Sequence, residues 1–180
     1  ALIFPMTMMG QYTIYPVPHT QTAGTGTVSF TNIVNVVCDN GIDEATRNRV
    51  KDIFAAHNVT VTFSDAASST ESNVYLGVNG ANGQGNALAT QLGLSTDVLT
   101  KEGKFDRHIL SLTDGGNGTA QLLVLGENTD ATFFGLASLE QMLDNGTEGL
   151  ATVTINDYAD LKERGVIEGF YGKPYAGEVR

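Results

Sequence analysis

The chain has no tryptophan, one cysteine, and only ten Lys and Arg in 180 residues. A single cysteine, Cys38, can close no internal disulfide and build no all-cysteine metal site. Its place in the apolar run Val34 to Asp39 reads as a small buried hydrophobe on a strand. Ten basic residues against twenty acidic ones leave a net charge of -10. That balance excludes nucleic acid as a partner, because phosphate binding needs clustered Lys and Arg. The acidity itself speaks to solubility. No apolar run approaches the ~20 residues that a bilayer-crossing helix needs, so no membrane span is expected. Ala1 to Met9 is apolar, but it is short and lacks a basic leader, so it carries no signal-peptide reading.

What is present is enough for one domain. Hydrophobic residues make up 41% of the chain and charged ones 17%, so a substantial core is available and a disordered acidic tail is not the explanation. Gln11 to Tyr15 reads as a first strand closed by Pro16 and Pro18. Gly24 and Gly26 read as a turn before a long β-branched strand, Val28 to Val37, which Asp39-Asn40-Gly41 breaks. Asp43 is placed to cap a helix from Glu44 to about Ala56, with Ala45, Val50, Ile53 and Phe54 on one side. Val59 to Phe63 alternates as the next strand, which gives a βαβ-type unit and a sheet with parallel members. Asn73 to Val78 is a further strand, followed by the Gly/Asn-rich loop Asn79 to Asn86 and a short helix, Ala87 to Leu92. His108 to Thr113 and Ala120 to Gly126 flank Asp114 to Gly118 as a hairpin.

The strongest helix runs from about Asp130 to Leu143. Leu136, Leu139 and Leu143 fall at helical spacing, and Gly135 beside them permits a close approach to a sheet. Ala151 to Ile155 is another strand. There is no internal repeat. The expected fold is a single α/β domain, a mixed β-sheet with helices packed on it. Its limits are residues 1–157, with a connector over 158–164 and a separate segment, 165–180.

Most constellations that could carry chemistry have a plainer explanation. Gly80 to Gly85 could wrap a phosphate, but no Lys-Ser or Lys-Thr follows. The spacing fits neither the P-loop nor the dinucleotide fingerprint, so a surface loop is expected. His19, His57 and His108 lie far apart in sequence with no second His or Cys at ligand spacing, and no His-Glu-x-x-His occurs. No metal and no cofactor are expected. Ser68-Ser69 lacks the Gly-x-Ser-x-Gly elbow. Asp39, Asp43 and Glu44 around one helix start, and Glu127 and Asp130 around another, fit favourable interaction with helix N-termini.

The exception is Arg164-Gly165-Val166-Ile167-Glu168-Gly169-Phe170-Tyr171-Gly172-Lys173-Pro174-Tyr175. A short β-rich run leads there into aromatics between glycines. This stretch resembles the entry into the catalytic barrel of glycoside hydrolase family 84, the hyaluronidase-like and O-GlcNAcase-like β-N-acetylglucosaminidases of bacteria. Leu125 to Leu143 is similar to the strand-then-helix segment late in the N-terminal domain of those enzymes and of related hexosaminidases. The two blocks together cover about a sixth of the chain. One departure is Tyr175, where the family usually has Trp.

The resemblance implies a non-catalytic N-terminal α/β domain followed by the first strand of a (β/α)8 barrel, the barrel being its partner in the same polypeptide. Gly169 and Tyr171 would then help line the N-acetylglucosamine pocket of the full enzyme. It also implies substrate-assisted catalysis by two adjacent aspartates inside the barrel. No Asp-Asp pair occurs in this chain, and a barrel takes ~250 residues, so no catalytic residue is assigned here. N-acetylglucosamine-containing glycans are the implied substrates, and a secreted or cell-surface bacterial location is implied with them. The other reading is a stand-alone carbohydrate- or surface-binding module presenting Tyr12, Tyr15 and Tyr75.

Overall fold

A computed structural model describes residues 12–163 and 165. Its framework is one seven-stranded mixed sheet in the order β1-β7-β5-β6-β4-β2-β3. The strands are β1 (Thr20–Val28), β2 (Ile33–Cys38), β3 (Thr60–Ser64), β4 (Ser72–Val78), β5 (Phe105–Asp114), β6 (Ala120–Gly126) and β7 (Leu150–Ala159). The helices are α1 (Glu44–Ala55), α2 (Gln84–Gln91) and α3 (Thr129–Met142), with a 3₁₀ turn at Asp97–Thr100. β3, β2, β4 and β6 run parallel, and β5, β7 and β1 continue the sheet antiparallel. This is the single mixed α/β domain expected from the sequence.

Alternation along the central strands divides the core between two faces. Val34, Val36, Val74, Leu76, Leu110, Leu112, Leu122, Val124, Val153 and Ile155 point to one face. There they meet Val50, Ile53 and Phe54 of α1 and Leu136, Leu139 and Met142 of α3. Val37, Tyr75, Ile109, Leu123 and Leu125 point to the other, under Leu88 and Ala89 of α2 and Leu99 of the 3₁₀ turn. In α1 it is Thr46, not Ala45, that completes the buried stripe, and its hydroxyl meets that of Thr129 at the start of α3, at 3.2 Å. Gly135 lets α3 lie close on the sheet. A Cβ there would come within 2.7 Å of Val124 and 3.1 Å of the His108 ring.

Four further expectations are corrected. Residues 12–15 form no strand. Gln21 instead holds this segment by bonding the backbone N–H and C=O of Tyr12, and Ile14 is buried in the core. The Gly24–Gly26 stretch is not a turn but the interior of β1. It forms an irregularity between Ala23 and Thr27, with Gly26 at φ +86 and Gly24 packed against Thr152. The run Val28 to Val37 is two strands, because Phe30 turns inward onto Phe54 with rings 5.0 Å apart, and Thr31 exchanges bonds with Ser72. Finally, α2 starts at Gln84, three residues before the expected Ala87, and so absorbs the end of the glycine-rich loop.

The link from β3 to β4 returns across β2 without a helix. Asn35 is buried beneath it, donating to the Ala66 carbonyl at 2.9 Å and to Asn73 at 3.0 Å, and accepting from Ser64 at 2.7 Å. Such a buried amide is tolerated because its hydrogen-bonding capacity is used.

Candidate functional site

The strand register brings residues from both ends of the sequence to one corner of the sheet. Thr20 pairs with Asn156, so His19 lies beside the end of β7. His19 Nδ1 is 2.9 Å from Asp157 Oδ1, and its ring stacks on Tyr158 with centroids 3.6 Å apart. Lys101 donates to the Tyr158 hydroxyl at 2.8 Å, and Lys104 to Asp160 Oδ1 at 2.7 Å. The bond from Lys104 holds the Asp160 carboxyl below its ordinary range and raises the Lys104 ammonium in turn.

On β5 the ladder to β7 is interrupted between Phe105 and His108, and Asp106 adopts φ +52 there. That irregularity turns His108 inward. Its Nδ1 lies 2.8 Å from the Asp106 carbonyl, so Nδ1 carries the proton and Nε2 is a bare acceptor. Nε2 is buried with no hydrogen-bond partner. Burial holds the imidazole below its ordinary pKa, against the opposing pull of the Asp106 carbonyl and of the Asp157 and Asp106 charges. The neighbouring Arg107 packs against Glu127, donating from Nε to Oε2 at 2.9 Å, from its backbone N–H to Oε1 at 3.1 Å and also from Nη2. Burial alone would raise the Glu127 carboxyl, but these bonds keep it below its usual value.

Two hollows flank the stacked His19–Tyr158 pair. One, of about 480 Å³, lies by the 3₁₀ turn with Ser95, Asp97, Lys101 and Asn156 on its walls. The other, a groove of about 520 Å³, runs between α3 and the ends of β5 and β7. His108, Ser138 and Asp157 line it, together with Tyr15, Val17 and Phe134. A third hollow, of about 320 Å³, sits at the far end between the Ser68–Glu71 loop and the β5–β6 hairpin.

The structure redistributes the residues singled out from the sequence. Gly169 and Tyr171 lie outside the described residues. At Gly80 to Gly85 the N-terminus of α2 is already occupied by the chain's own anion. The Asp39 carboxylate lies 3.2 and 3.3 Å from the Gly85 N–H, in a cradle of Gly77, Gly83 and Gly85. Asp39 therefore serves α2, while Asp43 caps α1 by accepting from Thr46 at 2.8 Å. Asn128 caps α3, accepting from the Ala131 N–H at 2.8 Å, and Asp130 lies in the first turn of that helix.

Of the three tyrosines proposed as exposed, only Tyr15 is. Tyr75 is 8% exposed, and half-buried Tyr12 donates to the Ala151 carbonyl at 2.8 Å, burial pushing its phenol up to about 12. His19 and His108, which looked unrelated in sequence, line one groove, whereas His57 is not among its lining residues. No local pattern signals that pairing, which comes from strand order. Among the described residues no group of three or more His, Cys, Asp or Glu side chains is arranged to hold a metal ion, and no helix is long and apolar enough to cross a membrane.

The profile of glycosyl hydrolase family 20, domain 2, matches residues 11–158. The chain belongs to that family. Over 93% of its length the domain superposes on CpGH84D, with a TM-score of 0.80 and 30% sequence identity, and on CpGH84B, with 0.72 and 23%. It also shares its fold, over 81% of its length at 12% identity and a TM-score of 0.53, with a GH20 exo-β-N-acetylglucosaminidase from Vibrio harveyi. This family 20 domain is thus a GH84-like hexosaminidase N-terminal domain, as the sequence resemblance implied. It spans 27% of CpGH84D and 26% of CpGH84B, about a quarter of each.

Proposed function

We propose that this domain is the non-catalytic support of a β-N-acetylglucosaminidase, a glycoside hydrolase whose chemistry lies in a barrel downstream in the same polypeptide. The observation that carries the reading is the coverage. The fold accounts for nearly all of this chain but only 27% of CpGH84D, so its counterpart there is one part of a longer protein. In this reading the fold through Ala159, the end of β7, forms the support, residues 160–164 the connector, and 165–180 the start of the barrel, with Gly169 and Tyr171 at the sugar pocket of the complete enzyme. Catalysis would be substrate-assisted, the acetamido oxygen attacking the anomeric carbon under two barrel aspartates. A secreted or surface location in a bacterium belongs to the same reading.

The test is hydrolysis of a chromogenic β-N-acetylglucosaminide by this chain and by the polypeptide extended through a barrel's length. Activity confined to the longer polypeptide supports the reading. Activity in this chain alone, or in neither, overturns it. A stand-alone glycan-binding module has less support, since two of the three tyrosines it would use are not exposed.

A further inference from the structure

We propose that the groove between α3 and the ends of β5 and β7 seats the downstream domain of the parent polypeptide, which presents a hydrogen-bond donor to Nε2 of His108. This rests on the support reading above and adds the place and chemistry of the contact.

The first observation is the floor of the groove. His108 is 4% exposed, its Nδ1–H is spent on the Asp106 carbonyl, and Nε2 is buried with no partner. Folded chains rarely leave a buried acceptor bare. A bare imidazole lone pair calls for an N–H or O–H, not for another acceptor.

The second observation is the rim. Five large hydrophobic side chains stand exposed among the described residues: Tyr15 (70%), Val17 (73%), Ile33 (41%), Phe134 (44%) and Leu161 (68%). Tyr15, Val17 and Phe134 line this groove, and Leu161 directly follows Asp160, which also lines it. Single exposed apolar residues need no explanation, but a gathering of them beside a polar floor marks an interaction surface.

The third observation selects the occupant. Residues 157–160, the last of β7 and the one after it, form one wall of the groove, so the last strand of the fold ends at the groove's rim. Asp160 is tied there by Lys104 at 2.7 Å and faces His19 at 3.7 Å, which holds the end of β7 at that rim. The matching part of CpGH84D is about a quarter of that protein. A downstream domain is therefore tethered next to the groove at high effective concentration, an advantage no free ligand shares. The expected partner face is apolar, with one donor at its centre.

The experiment compares the isolated chain with the parent polypeptide. In the isolated chain the His108 Nε2 nitrogen resonance is that of an unbonded lone pair, and in the parent it shifts to the hydrogen-bonded range. Val17→Glu with Phe134→Glu in the parent speeds protease cleavage between residues 160 and 165 by at least about fivefold, because cleavage tracks the undocked population. The same pair leaves cleavage of the folded isolated chain between residues 160 and 165 unchanged, because nothing is docked there. An identical Nε2 resonance in both polypeptides, or unchanged cleavage in the double variant of the parent, overturns the proposal. So does an isolated chain that sediments as a dimer and becomes monomeric with the double variant, since the occupant is then a second copy. If the parent hydrolyses β-N-acetylglucosaminides while the groove tests fail, only the seat is wrong. If it does not hydrolyse them, the support reading falls as well.

Discussion

The carboxylate of Asp39 meets the backbone N–H of Gly85 with both oxygens, at 3.3 and 3.2 Å, at the N-terminus of α2. An anion at that position is favoured by the helix dipole and by the unpaired N–H groups of the first turn. Here the anion is internal, so the glycines around it, which in sequence resemble a phosphate loop, are there to admit a side chain. Replacing Gly83 with Ala puts a Cβ 2.1 Å from Asp39 Oδ1. The backbone at φ -89 accepts alanine, so the cost falls on the carboxylate contact. The expected loss is about 1–3 kcal/mol in urea unfolding.

Asp39→Ala removes the same contact from the other side. The Gly85 N–H is then left buried without its acceptor, for a loss of about 1–3 kcal/mol. Added sulfate recovers part of it by filling the vacated position, as a shift of the urea midpoint towards wild type would report.

Gly135→Val tests the close seating of α3. Even one added carbon would lie 2.7 Å from Val124 Cγ1 and 3.1 Å from His108 Cδ2. The helix must lift off the sheet, and we expect a loss of about 2–3 kcal/mol, with the His108 ring resonances displaced.

Glu127→Gln separates charge from shape in the contact with Arg107. The folded carboxyl is held below its ordinary value. Its contribution is therefore full above about pH 4.3, the unfolded value, and is lost as pH falls through the folded one. Wild type should melt above the variant at pH 7, and the two should converge below about pH 4.

His108→Phe addresses the opposite case. Burial lowers the folded imidazole pKa, so the folded state resists the proton that the unfolded chain accepts. Stability is full above about pH 6.5 and declines as pH drops below it. Wild type should lose melting temperature between pH 7 and 5, and the variant should show a shallower decline.

Much of the architecture was legible because its cause was local. α1 and α3 carry apolar positions at helical spacing, and the β5–β6 hairpin has its Asp-Gly turn between two apolar runs. β1 was not legible. Its sequence, TQTAGTGTV, is mostly exposed on an edge of the sheet and so has no apolar alternation to announce it. What makes it a strand is β7 alongside. The corner where His19 meets Tyr158 was hidden for the same reason, since most of the chain separates them and only the β1–β7 register joins them. Tyr158, read as connector, is instead one of the last residues of β7.

The central claim is that this domain supports a catalytic domain downstream of it. The most direct test removes residues 1–159 from the parent polypeptide and measures the soluble yield, melting temperature and β-N-acetylglucosaminidase activity of the remainder. The account predicts a remainder that is poorly soluble or melts lower, with activity lost in proportion to folded protein. A remainder as soluble, stable and active as the whole would contradict it.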